Sequence, residues 1–203
     1  MHVPTLALLW VAAGAVHLAA NQIVAVYGQA RLRAALPPQS LPLIDVGHTL
    51  IPRVQLVQWQ HAVLEAWAVV PGLSAVFCGP PTCAALFLRT HAVVLALRPL
   101  CFLGTILPDA SGVGTRPRLL SMSGGIHDLL FSGHVSAALC GILAWCATSL
   151  RNGAPWAKAA LLLPCVLQSL LILATRKHYT VDVVVAWILC PLLCAYFDAT
   201  KHC

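Results

Sequence analysis

Charged side chains are scarce in this chain. Only 9% of its residues are Asp, Glu, Lys or Arg, and only six are acidic, against 60% hydrophobic residues. Soluble domains carry roughly 25% charged residues. The composition therefore excludes an ordinary soluble fold, which would lack the polar groups to cover itself. A lipid-embedded bundle has no such need, because lipid tails are as apolar as leucine. Also missing is any basic tract with interleaved aromatics, so the net charge of +6 does not point to nucleic acid. There is no internal repeat and no low-complexity tract, the Gly-, Ser- and Pro-rich residues 108–127 read as turns, and the length permits a single integral-membrane domain over residues 1–203. No paired Cys/His spacing suggests a zinc site, and neither metal nor cofactor is expected. Cysteine itself is not rare, at nine residues. Cys140, Cys146, Cys165, Cys190 and Cys194 lie within apolar runs, where cysteine acts as a small hydrophobe. Cys78 and Cys83 flank Pro80-Pro81 and can pair only if that loop faces an oxidising compartment.

What is abundant is long apolar sequence. Six runs stand out, at roughly 3–28, 56–78, 83–107, 130–150, 157–175 and 179–199. Each approaches the ~20 residues a helix needs to cross the hydrocarbon. None alternates apolar and polar residues as the strands of a membrane barrel do. The fold class is therefore all-α, a polytopic bundle of six transmembrane helices. The first run has no Lys or Arg before it, unlike a signal peptide, and reads as a retained span. With six spans, the first, third and fifth connections share one face, which gathers Asp45, Asp109, Asp128, His134 and His178.

Two segments on that face carry chemistry. The fourth span opens with HDLLFSGH, where Ser132 is a favoured helix cap and Gly133 precedes His134. Free N–H groups at a helix start suit a phosphate. The sixth span opens with RKHYTVDVVVAW, where His178 and Asp182 are four apart and share a helix face. A carboxylate on one ring nitrogen fixes the tautomer and frees the other nitrogen to attack, as in an activated nucleophile. The alternative for each is an interfacial histidine or a structural His–Asp pair. Arg176 and Lys177 directly precede His178, and Arg98 lies inside the third span, where it requires an anion or water. Such cations can balance the charge of a phosphoryl group. Asp128 lies six residues before His134 and serves either the site or a solvated loop. Glu65 lies four after His61 in the second span, as a buried structural pair or as part of the site. His17, His91 and Arg89 read as packing or interfacial residues.

These motifs resemble the type 2 phosphatidic acid phosphatase superfamily, and more closely its sphingomyelin synthase-like branch. HDLLFSGH and RKHYTVDVVVAW are similar to that branch's two catalytic motifs, RPLCFLGTILPD to its arginine-to-LP segment, and LPLIDVGHTLIPRVQ to its PLPD segment. The resemblance implies six transmembrane helices and a phosphohistidine mechanism, with His178 as nucleophile, Asp182 as its orienter and His134 as acid, then base. It implies membrane lipids as partners: a phospholipid donor of a phosphoalcohol head group such as phosphocholine, and ceramide or diacylglycerol as acceptor. Inositol phosphorylceramide synthases share the same two motifs. The phosphatase branch instead carries a lysine seven residues before Arg-Pro and an arginine six before the nucleophilic histidine; here these are His91 and Ile172. That favours a transferase over a lipid phosphate phosphatase. A transporter or scaffold needs none of the three catalytic residues.

The resemblance also implies an endomembrane (endoplasmic reticulum or Golgi) or plasma-membrane location, with the active face lumenal or external. Charge counting implies the reverse, since Arg31, Arg33, Arg53, Arg116, Arg118, Arg176 and Lys177 share the active face and basic residues favour the cytoplasm.

Overall fold

A computed structural model describes residues 2–35, 44–105, 107 and 131–200. Among them every regular element is a helix: α1 (Val3–Ala35), α2 (Val46–Leu50), α3 (Gln58–Phe77), α4 (Pro81–Gly104), α5 (Gly133–Ala147), α6 (Pro155–Ala174) and α7 (Thr180–Ala199). The boundaries follow local chemistry. Pro81 and Pro155 open α4 and α6 at the first helical position, where a missing N–H costs nothing. Ser132 caps α5, its side chain accepting from the Val135 N–H. Pro71, Pro99, Pro164 and Pro191 lie inside helices, as packed membrane helices tolerate.

The chain is an integral membrane protein. Among the described residues four helical segments, Val3–Val24, Pro81–Gly104, Pro155–Ala174 and Thr180–Ala199, are long and apolar enough to cross a membrane. That is two short of the six expected, and the shortfall has physical causes. The fifteen residues of α5 reach only about 22 Å at 1.5 Å per residue, short of a ~30 Å hydrocarbon core. The first turns of α3 hold Gln58, Gln60, His61 and Glu65, which lower its hydropathy. Neither helix stands alone in the bundle: α5 packs against α3, α4, α6 and α7, and α3 packs against α4 and α5. Val135, Ala138, Leu139 and Ala144 of α5 are fully buried.

Glycine sets the register between these two helices. A Cβ on Gly141 would lie 2.5 Å from the backbone of Pro71 and Gly72, so α3 and α5 meet backbone to backbone. Such small-residue contacts let membrane helices approach closely. Both helices run the same way. Glu65 precedes Gly72 by seven residues, and His134 precedes Gly141 by seven. Two helical turns from the contact, about 10.5 Å, both side chains therefore arrive at the same level. At the opposite end Arg151 forks onto both oxygens of Asp198 at 2.8 Å, tying the α5–α6 turn to the end of α7. No disulfide joins Cys78 and Cys83: Cys78 is exposed and Cys83 wholly buried.

Gly141→Ala should lower the thermal midpoint of the purified protein, since inserting a methyl into a packed core costs about 1–3 kcal/mol. Gly141→Val should lower it further and impair any activity that depends on Glu65 meeting His134. An unchanged midpoint for both variants would show that the α3–α5 contact does not set the register.

Candidate active site

The starts of α5 and α7 are joined through one residue. Asp182 is completely buried, and one of its carboxylate oxygens accepts from His178 Nδ1 at 3.1 Å and from the Tyr179 N–H at 2.9 Å. Its backbone carbonyl accepts the Ser132 N–H at 3.1 Å. Asp182 stands in the first turn of its helix, where the positive end of the helix dipole favours a carboxylate. His178 thus has Nδ1 held by Asp182, and Nε2 makes no hydrogen bond among the described residues.

His134 is arranged in the mirror sense. Its Nε2 meets Glu65 Oε2 at 2.6 Å, while the other oxygen of Glu65 meets Lys177 Nζ at 2.5 Å. Glu65 therefore pairs with His134 and Lys177, not with His61, its neighbour along the helix. The His134 and His178 rings stand 6.0 Å apart, centroid to centroid, edge to face. Both histidines are buried, whereas the Glu65 side chain is 36% exposed, which marks the open side of the site.

Arg98 lies beneath the start of α5. Its Nε donates to the Phe131 carbonyl at 3.0 Å, and a terminal nitrogen bonds His17 Nε2 at 2.9 Å. A Cβ on Gly133 would lie within 2.6–2.9 Å of the guanidinium, so only glycine lets Arg98 come this close to the residue before His134. His17, read from the sequence as a packing residue, is thereby a partner of Arg98. Arg176 is engaged differently from a phosphate ligand. It ends α6 with φ of 58° in a turn where Arg176 N–H bonds the Leu173 carbonyl and Lys177 N–H the Ile172 carbonyl. Glycine usually fills that left-handed position. Here the side chain uses it to reach the carbonyls of His48, Ile51 and Leu173, at 2.7–2.9 Å. Asp128, with Asp109, Arg116 and Arg118, lies outside the described residues, as do the side chains of Arg31 and Arg33.

Sequence reasoning gave little weight to the segment that Arg176 holds. Tyr179 offers no side-chain cap for α7, and Asp45 supplies one from the α1–α3 connection. Its carboxylate accepts the Thr180 N–H at 2.7 Å, the Thr180 hydroxyl at 2.5 Å and the His48 N–H at 2.9 Å. His48 Nε2 donates to the His178 carbonyl at 2.9 Å, and its ring stacks on Tyr179. Residues 45–51 thus hold the His178 carbonyl and the Thr180 N–H, and receive the Arg176 side chain. The signal in the sequence was the DVGHT run itself, whose partners lie some 130 positions away.

The C-terminal part of this arrangement matches known proteins. Residues 127–200 match the family PAP2 superfamily C-terminal. The chain is 41% identical over 75 residues to phosphatidylinositol:ceramide inositolphosphotransferase 3 of Arabidopsis thaliana, covering 37% of this chain and 25% of that protein. It is 34% identical over 125 residues to the phosphatidylinositol:ceramide inositolphosphotransferase of Leishmania major, covering 52% of this chain and 36% of that one. The matched segments span about a quarter to a third of these relatives' length. No solved structure matches significantly.

The Asp45 clamp generates a pH prediction. Burial acts to raise the pKa of Asp45, but hydrogen bonds from the Thr180 hydroxyl and from the His48 and Thr180 N–H groups outweigh it and hold the pKa below its ordinary 3.8. A depressed carboxylate contributes stability that is complete above the unfolded-state value and is lost as pH falls through the folded-state value. The thermal midpoint should therefore decline as pH drops below 3.8, and Asp45→Asn should flatten part of that decline. Superimposable pH profiles for the two proteins would exclude Asp45 as the clamp.

From residue 127 to 200, this chain is similar to the PAP2 superfamily C-terminal family, and the relatives it matches are ceramide inositolphosphotransferases.

Proposed function

We propose that this chain is a membrane transferase that moves a phosphoalcohol head group from a phospholipid to a lipid hydroxyl through a covalent phosphohistidine on His178. The observation that carries the reading is the pair of histidines, each holding a carboxylate on one nitrogen, with rings 6.0 Å apart. A scaffold or transporter has no use for two oppositely poised His–carboxylate pairs at one helix junction.

The chemistry follows from the positions. Asp182 keeps the proton on His178 Nδ1, which leaves the Nε2 lone pair to attack phosphorus. The N–P bond forms as the bond from phosphorus to the diacylglycerol oxygen breaks. His134, whose Nε2 is held by Glu65, acts as the acid: it gives that oxygen a proton, and diacylglycerol leaves. In the second half His134, now neutral, takes the proton of the incoming lipid hydroxyl. The hydroxyl oxygen attacks phosphorus, the N–P bond breaks and His178 is restored. Lys177 and Arg98 supply positive charge beside the phosphoryl oxygens, and Ser132 and Gly133 bring the start of α5 to them. Arg176 acts at one remove by fixing residues 48–51 behind His178. Six of the helices, α1 and α3 to α7, form one bundle across the bilayer, with α5 shielded by the others and α3 turning Val63, Val69, Val70 and Phe77 outward to lipid.

The names of the relatives favour phosphatidylinositol as donor and ceramide as acceptor over a phosphocholine donor. The site's charge agrees. Asp182, Glu65 and Asp45 are each engaged by protein donors, which leaves no described carboxylate there to meet a quaternary ammonium. A hydrolase reading is weaker. Where the phosphatases hold a lysine, His91 stacks on Phe87 and accepts from Trp10 Nε1, facing α1 instead of the site.

Reconstituted protein supplied with head-group-labelled phosphatidylinositol and ceramide should give a labelled lipid product. Phosphatidylcholine, or diacylglycerol as acceptor, should give less. Label released to water would identify a hydrolase, and no product from any pair would support a scaffold or transporter. Asp182→Asn should reduce transfer by about 10⁴, as in a comparable loss of tautomer control. His134→Ala should abolish it while the protein still inserts and folds.

A further inference from the structure

The end of the bundle remote from the histidines carries a groove of about 380 Å³. It lies where the first turns of α1, the middle of α4 and the last turn of α7 meet. Leu6 and Leu88 form a buried floor, and Leu9 and Tyr196 an exposed rim. Its volume falls within the range of about 300–1,000 Å³ usual for small-molecule sites. One side chain is out of keeping with this apolar lining. Arg89 makes no hydrogen bond or ion pair among the described residues, yet it stands half-buried in the groove wall. Every other described arginine and lysine has a partner. Arg98, Arg151 and Arg176 bond backbone or side chains, Arg53 is engaged, and Lys158 and Lys177 bond Arg151 and Glu65.

A cation unpaired within a span calls for an anion. Among the described residues no carboxylate lines the groove, and the nearest in sequence to its α7 wall, Asp198, is already held by Arg151. In the same groove, the Tyr196 hydroxyl is a second donor without a hydrogen-bond partner among the described residues. A guanidinium fork and a phenol lining one apolar trough match a phosphodiester with its acyl chain. The absence of a carboxylate to meet an ammonium selects a head group with net negative charge. We propose that the groove binds one anionic phospholipid of the leaflet opposite the active face, its phosphate on Arg89 and Tyr196 and its acyl chain along Leu6, Leu9 and Leu88. This lipid takes no part in transfer. The twenty residues of α7 put about 30 Å between the groove and His178.

The test is native mass spectrometry of the full chain released from nanodiscs of phosphatidylcholine containing phosphatidylglycerol. The wild type should retain one phosphatidylglycerol in preference to phosphatidylcholine. Arg89→Gln should weaken that retention at least tenfold, as should Ala92→Trp, which fills the groove. Arg89→Lys should weaken it less, and Arg151→Gln, on the same face but outside the groove, should leave it unchanged. If Arg89→Gln fails to fold, the comparison of Arg89→Lys and Tyr196→Phe with the wild type decides in its place. Equal retention in wild type and Arg89→Gln would show that Arg89 only reaches for the membrane surface. Equal retention of phosphatidylcholine and phosphatidylglycerol would overturn the assignment to an anionic lipid.

Discussion

The Asp182 carboxylate is buried without exposure to solvent at the first turn of α7, and much of the site depends on what it holds. Burying a charge in a low-dielectric interior costs several kcal/mol unless donors surround it. Asp182 has the Tyr179 N–H, the His178 ring and the positive end of its own helix. The same residue's carbonyl takes the Ser132 N–H, so the caps of α5 and α7 are built on one another. Loss of this junction would free the His178 ring to rotate and separate the start of α5 from that of α7.

Around this junction the protein divides into two kinds of helix. The segments most apolar along their length, in α1, α4, α6 and α7, meet the lipid requirement by themselves. The helices bearing Glu65 and His134 are either too polar or too short to do so, and they lie against the others. The backbone contact at Gly72 and Gly141 fixes one against the other, and the ion pairs of Glu65 form two turns above it. The Asp45–His48 segment then closes the α7 start from outside, with Arg176 as its fastening.

Much of this was legible in the sequence for physical reasons. The apolar runs located the helices because membrane spans need length and little else. The spacing of His178 and Asp182 located one dyad because four residues make one helical turn. What the sequence did not reveal depended on contacts between distant elements. Glu65 had a local partner in His61, and only the packing of α3 on α5 sends it to His134. Arg176 looked like a phosphate ligand by adjacency, but its left-handed backbone turns the guanidinium towards the carbonyls of residues 48 and 51. Asp45 was seen as a polar loop residue, since a cap supplied in trans leaves no periodic trace. Six apolar runs pointed to six spans, whereas four of the described helices are long and apolar enough to cross by themselves: the fourth run gives Ser132 to the cap of α5 and its helix ends at Ala147, and α3 opens on polar residues.

The account rests on a free Nε2 of His178 poised to take a phosphoryl group, and a single-turnover experiment reads this directly. Protein mixed with phospholipid labelled in its head-group phosphate, with no acceptor lipid present, should release one equivalent of diacylglycerol and retain the label. The adduct should be labile in acid and stable in base, as a phosphohistidine is, and His178→Ala should lose it. Transfer that proceeds normally with acceptor, yet shows neither burst nor protein-bound label without it, would contradict the two-step mechanism.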